Sequence, residues 1–432
     1  MSTTAAATVA TASAPSASAA AAPAAPASMT FKEVLGLDVM RRVWYAQVIS
    51  LFGDFLALFA VIAVVSFRMH ATPNQVTGVQ IAYMLPIVFV GPVAGVFVDR
   101  WPLKPTLISS DLIRAVLCLL LIPSTQIWQV YIVLAALSCV SAFFGPAQTV
   151  TIRSHVPREG LVSANALMQV AFMGSRIVGP ATAGAIVAAF GPAICYALDM
   201  VSFLASATLI ASVVIQRPPS MPRPTESSRN RIHAIWIDMK AGMTFILHHG
   251  TILYAVFAMA AALMITGCFG PLIAIHVRDT LHASARSFGF VSGMIGVGLL
   301  VGTQIIRQLT DRASDSTLML GGMAGIGAGV AVIGGVPAVA AALAGTFVIG
   351  FAFAAIMVPA QTLIQRETPH DMLGRVGSTN ASIIFLGQVV GLAFSGVLAE
   401  TIGVRMVFFL CAALAVGTAA SGRVFLHTRS SS

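Results

Sequence analysis

Five carboxyl or guanidinium side chains fall deep inside apolar stretches long enough to be immersed in lipid, and they are the groups best able to do chemistry. Asp54, in Ser50-Leu-Phe-Gly-Asp54, stands about twelve residues into the stretch 43–67, or ~18 Å at 1.5 Å per residue, near mid-bilayer. A carboxyl at that depth can take up and release a proton during a transport cycle, and an intramembrane charge is by default a functional candidate. Arg176 lies comparably deep in the stretch 161–188, where it either holds Asp54 ionised or contacts an anionic substrate. Asp199, in the stretch 192–215, is an equally good partner for it. Asp111 and Arg114 are three residues apart in the stretch 105–123, hence on one helix face, and neutralise each other locally. Asp54 and Arg176 are therefore the candidate proton-coupling residues. The alternative for Asp54 is a carboxyl paired with a neighbouring helix for structural reasons alone.

The elements that must position these groups are membrane spans. Of the 432 residues 57% are hydrophobic and 9% charged, with a mean hydropathy of +0.91, whereas soluble domains carry about 25% charged residues. Twelve apolar runs follow one another: 43–67, 76–98, 105–123, 128–152, 161–188 and 192–215, then 252–275, 286–306, 316–334, 338–364, 376–399 and 404–426. Several exceed the ~18 residues needed to cross a bilayer, so the sequence predicts an all-α membrane protein of twelve transmembrane helices. Residues 1–34 read as a disordered tail, 35–215 as a first six-helix bundle, 216–250 as a linker, 251–427 as a second bundle and 428–432 as a C-terminal tail. No Lys or Arg precedes Lys32, so the basic start of a signal peptide is missing. From Arg231 the linker sets Ile232, Ile235, Trp236 and Met239 against His233, Asp238 and Lys240, the pattern of an interfacial helix.

Lys and Arg gather in alternate loops, with only Arg68, Arg278, Arg286 and Arg405 on the opposite side, which predicts both termini in the cytoplasm. The net charge of +9 is spread over those short loops rather than one face, so no nucleic-acid partner is expected. Cys118, Cys139, Cys195, Cys268 and Cys411 all lie in apolar runs without a Cys-x-x-Cys pair and read as small core residues. No metal and no cofactor are expected. The nine histidines are scattered, and His248-His249 has no acidic neighbour, so no catalytic constellation forms and the chain does not read as an enzyme. Neutral polar residues within the runs, Gln47, Gln148, Asn165 and Gln361 among them, are candidates to line a path.

Glycine spacing and an internal repeat organise the whole. Gly91 and Gly95 are four apart on one face of the second run, where a neighbouring backbone can come close. In the fifth, Gly179 and Pro180 weaken the helix while small neighbours, Gly174 and Gly184 among them, allow close packing against the opposite half. Pro146-Ala-Gln-Thr and Arg153 recur as Pro359-Ala-Gln-Thr and Arg366 at an offset of 213. Gly179, Gly184 and Gly191 recur as Gly391, Gly396 and Gly403 at an offset of 212, and Gly91, Gly95 and Arg100 as Gly298, Gly302 and Arg307 at 207. Three matches in one order predict two pseudo-symmetric six-helix bundles in parallel repeat.

Gly95-x-x-x-Asp99-Arg100-x-x-x-Lys104 resembles the loop between the second and third helices of the major facilitator superfamily. Pro102 and Leu103 replace its second glycine and first basic residue, leaving Arg100 and Lys104 to carry the basic contact. Gly174-Ser-Arg-Ile-Val-Gly179-Pro180-Ala-Thr-Ala-Gly184 is similar to that superfamily's antiporter signature. Phe144-Gly-Pro-Ala-Gln, Leu161-x-x-Ala164-Asn165-Ala166-Leu167 and Leu198-Asp-Met-Val-Ser-Phe203 resemble its macrolide-efflux and enterobactin-exporter branch. The resemblance implies the major facilitator fold and a secondary exporter of the inner membrane, with a drug- or siderophore-class substrate and proton antiport. It also implies alternating access about a midplane cavity, with Asp99-Arg100 latching the halves when the cavity faces outward, and it favours a structural role for Asp199. The expected partners are a small amphipathic substrate, protons and the lipid bilayer, with the chain acting as a monomer. A lysophospholipid or metabolite carrier of the same fold, or a non-transporting membrane sensor, are the alternatives.

Overall fold

The computed structural model describes residues 29–98, 100–215, 228–310, 312–369 and 372–430, and every regular element in them is helical. Helix is the expected outcome for apolar chain in lipid, where each backbone N–H and C=O must be paired within its own segment. The first element, α1 (Phe31–Gly36), begins at a reciprocal cap in which Thr30 Oγ1 accepts from the Glu33 N–H and Glu33 accepts from the Thr30 N–H at 2.7 Å. It packs against later helices, with Val34 buried, so the tail predicted to reach residue 34 gives way to folded chain by residue 31. The capping pair was the signal for this. Residues 1–28 lie outside the described residues.

The helices of the first half are α2 (Asp38–Ala63), α3 (Pro73–Val98), α4 (Leu103–Leu120), α5 (Ile127–His155), α6 (Leu161–Phe190) and α7 (Pro192–Ala211). Then come α8 (Ser228–His248) and the second-half helices α9 (Gly250–Ile275), α10 (Ala285–Leu309), α11 (Asp315–Gly335), α12 (Val339–Glu367), α13 (Leu373–Ile402) and α14 (Val404–Ser430). Among the described residues ten segments are long and apolar enough to cross a membrane. Helix α2 starts five residues before its apolar run because Asp38 pairs with Arg41 at 2.6 Å and Arg42 at 3.5 Å across its first turn. Helix α8 covers the predicted interfacial segment from Ser228. It docks on α13 through Asp238 to Arg375 at 2.7 Å and through Gly242, where an added methyl would meet the Arg375 carbonyl oxygen at 2.6 Å.

The repeat read in the sequence returns in the packing. Helix α2 lies against α6 and α7 as α9 lies against α13 and α14; α3 lies against α5 as α10 lies against α12; α4 touches α5 and α7 as α11 touches α12 and α14. Both α2 and α9 end in one turn of π-helix, Val64–Arg68 and His276–Thr280, at an offset of 212. Among the described residues the two non-glycine residues of positive φ, His70 (50°) and His282 (47°), stand at the same offset. Gly191 (φ 83°) and Gly403 (φ 85°), where only glycine is unstrained, complete the set. The halves meet chiefly through α3 with α13 and α6 with α10.

Candidate functional site

The buried charges of the first half converge on one arginine. Helix α2 presses so closely on α7 that a methyl group added at Gly53 would lie 2.9 Å from Ser202 Cβ. This approach carries Asp54 to α4, where its Oδ2 lies 3.9 Å from Arg114 Nη1. Arg114 Nη2 donates to Asp111 Oδ1, and Asp111 Oδ2 accepts from Ser206 Oγ at 2.7 Å. The guanidinium sits between the rings of Phe203 (4.3 Å to the centroid) and Phe144 (4.5 Å), an arrangement that holds a desolvated cation from both faces. Asp199 closes the cluster from α7, accepting from Cys118 Sγ at 3.0 Å and Ser202 Oγ at 3.2 Å. Asp111, Asp199 and Arg114 are fully enclosed, while the Asp54 side chain keeps 23% of its surface accessible. Two carboxyl groups thus share one guanidinium, and Asp54, held at the greater distance, is the one left partly accessible.

The Asp111–Arg114 pairing follows the sequence expectation, but the assignment of Arg176 as partner of Asp54 does not hold. Among the described residues Arg176 makes no ion pair with Asp54, and it is accessible. Successive residues of a helix point about 100° apart. Because α2 turns Phe55 onto Gly179 of α6, with Phe55 Cβ 2.7 Å from a methyl added there, Asp54 is turned away toward α4. Nor is Asp199 the partner of Arg176, since its oxygens are taken by Cys118 and Ser202. The second role of Arg114 escaped the sequence reading because its three-residue spacing from Asp111 already accounted for it.

The glycine motifs divide by position. Gly184 packs on Gly289 of α10, whose Cα would lie 2.6 Å from an added methyl, and Gly293 meets Ala181 at 2.9 Å. The Pro180 carbonyl oxygen reaches the same contact, 3.2 Å from a methyl added at Gly289. At Gly91, Gly95 and Gly174, by contrast, an added methyl meets no atom within 4 Å, so the close approach expected there is absent in this state. Asp99 lies outside the described residues. Arg100 is exposed, its N–H donating to the Phe97 carbonyl at 2.9 Å, and Trp101 stacks on Phe143 at 5.7 Å. Lys104 Nζ donates at 2.6 Å to the carbonyl of Ala211 at the end of α7, a favourable place for a cation. Gln47 and Gln148 bond to each other through their amides, whereas Asn165 and Gln361 are exposed.

Inter-half bonds gather at the end opposite Arg100 and Lys104. Arg278 Nη1 donates to the carbonyls of Ser66 and, at 3.1 Å, Ala71. Glu400 of α13 accepts from the Asn74 side chain and, at 3.3 Å, from the Asn74 N–H in the first turn of α3. Thr77 and Ser395 hydroxyls are 3.1 Å apart, and Phe59 stacks on Phe288 at 4.4 Å. This end is sealed by helix capping, hydroxyl contact and aromatic stacking together.

Comparison with known proteins agrees with this architecture. The profile of the family described as transmembrane secretion effector matches residues 33–431. Relatives include the uncharacterised MFS-type transporter YfiS of Bacillus subtilis, 27% identical over 86% of this chain and 89% of its own length. Macrolide efflux protein A of Streptococcus pyogenes is 26% identical over 87% of this chain and 92% of its own. The enterobactin exporter EntS of Citrobacter koseri is 24% identical over 82% and 84%. Among solved structures, the nucleoside transporter NupG superposes with a TM-score of 0.67 at 15% identity, covering 90% of this chain and 99% of that one. With helices that fit a membrane, a repeated packing scheme and relatives that are transporters over most of their length, the chain belongs to the transmembrane secretion effector family of the major facilitator superfamily.

Proposed function

We propose that this transporter exports a small amphipathic molecule of the drug or siderophore class across the bacterial inner membrane, by alternating access coupled to proton antiport. Twelve crossings in two pseudo-symmetric six-helix bundles, with both termini in the cytoplasm, form its frame. The observation that carries the reading is a carboxyl group, Asp54, left partly accessible beside a buried guanidinium while the halves are sealed at one end. Under the positive-inside orientation that seal faces outward, so the present state opens to the cytoplasm. A proton arriving at Asp54 neutralises it, frees Arg114 to serve Asp111 alone and changes the relative energies of the two facing states. Protonation shifts that equilibrium only as far as the proton binds the two states unequally. Asp99 and Arg100 latch the cytoplasmic ends when the cavity faces outward.

The test is efflux of a fluorescent amphipathic dye from proteoliposomes under an imposed pH gradient. Asp54→Asn is expected to retain dye binding and lose the pH-driven component; full pH-driven efflux by this variant removes Asp54 from the mechanism. Asp99→Ala is expected to slow transport without abolishing binding.

A further inference from the structure

One face of α6 carries a stripe of residues that the coupling cluster does not use. Asn165, Gln169, Phe172 and Arg176 follow one another at steps of four, three and four, so they lie along one side of the helix, and all four are exposed. Two turns on from Arg176, Ala183 falls on nearly the same line and is fully buried, with Gly179 against Phe55 of α2 to one side of it and Gly184 against Gly289 of α10 to the other. The stripe therefore runs between the faces of α6 that meet α2 and α10, covered at its upper end and exposed below.

Of the glycine contacts between α6 and α10, that of Gly293 with Ala181 lies furthest from the seal, and Arg176 is five residues beyond Ala181, ~7.5 Å along the axis. Opposite it on α10 the next turn presents Val297, which is exposed, and Gly298 packs instead on the Phe347 carbonyl of α12. No carboxylate among the described residues pairs with Arg176, whereas Arg114, the other deep cation, is held by Asp111 and Asp54. One turn below Arg176, Phe172 makes an edge contact with Phe55 at 5.7 Å, giving an aromatic wall beside the cation. A guanidinium at membrane depth without a counter-charge is a functional candidate, and its fork of N–H groups matches a carboxylate or phosphate oxygen pair.

We infer that Arg176, with Phe172 and Phe55 beside it, forms the binding site for the acidic group of an amphipathic anion, and that this is the substrate class of the carrier. The inference rests on the transport reading above and narrows it. Between the two kinds of named relative, it favours cargo bearing a carboxylate, phosphate or similar acidic group over a cationic one.

The experiment uses the full chain in nanodiscs with three probes of one apolar body: pyrenebutyrate, pyrenebutanol and pyrenebutylamine, with empty nanodiscs as the partition control. Pyrenebutyrate is expected to bind saturably and at least tenfold more tightly than the other two. Arg176→Gln should weaken it at least tenfold while leaving the alcohol within twofold, which also certifies that the variant is folded, and Arg176→Lys should keep part of the affinity. Equal binding of the three probes, no saturable binding of the carboxylate, or an unchanged affinity in Arg176→Gln each overturns the assignment. Proteoliposome flux separates the two claims. Pyrenebutyrate held through Arg176 but never moved leaves the site standing and sinks the transport reading; pyrenebutylamine moved equally well by Arg176→Gln does the reverse.

Discussion

Asp54 in α2 and Thr266 in α9 occupy the same place in the two copies of the repeat, 212 residues apart, and so do Asp199 and Cys411. In the first half Asp54 pairs with Arg114 beside Asp111, and Asp199 accepts from Cys118 and Ser202. In the second, Thr266 Oγ1 merely donates back to the Ala262 carbonyl at 2.7 Å, and Cys411 lines an apolar cavity of about 230 Å³ with Met264, Cys268 and Leu414. Yet the helix pairs are the same in both halves. Packing of this frame therefore does not require the charges, and a buried ion pair is in any case weak evidence for stability. What the first half carries at extra energetic cost is a set of ionisable groups.

That contrast can be broken in order of expected effect. Arg114→Leu strands two carboxyl groups and should destabilise the first half by about 3–5 kcal/mol in reversible unfolding from mixed micelles. If it is as mild as an apolar exchange in α11, the cluster is not an electrostatic core. Thr266→Asp places a carboxyl in the second half without an arginine to receive it. It should lower stability by ~2.5–3.5 kcal/mol, where a neutral result would mean that the two cores are equally receptive. Glu400→Gln weakens the acceptor that binds the first turn of α3. A shift of about 1 kcal/mol away from the sealed arrangement is expected, read as increased inter-half spin-label distances at that end. Arg375→Ala removes an ion pair to Asp238 whose partners are about half exposed, and less than ~1 kcal/mol should be lost.

Much of this was legible beforehand, and the exceptions have physical causes. The twelve predicted runs all lie within helices to within a few residues because apolar length is a one-dimensional signal; the chief shifts are the charged first turn of α2 and the earlier end of α7 at Ala211. The repeat was legible through Pro146 and Pro359, which sit inside α5 and α12 at equivalent depth. Depth could also be counted for Asp54 and Arg176, but facing could not, since it depends on which residue of α2 meets α6. Here Phe55 meets it, and the neighbouring carboxyl is rotated out of reach. The stripe from Asn165 to Arg176 was present in the spacing. The openness at Gly91 and Gly95 belongs to one state of the pair of halves, a property that glycine spacing does not encode.

The wide turns at Val64–Arg68 and His276–Thr280 carry a historical implication. Such a turn holds one residue more than regular α-helix, so each copy bears the same extra residue at the same point, followed by the same left-handed histidine. Two independent insertions at matching sites are a poor explanation. The lengthening belongs to the single ancestral unit and predates its doubling, which makes the difference in charge between the halves the younger feature: the cluster was either gained by one descendant copy or erased from the other.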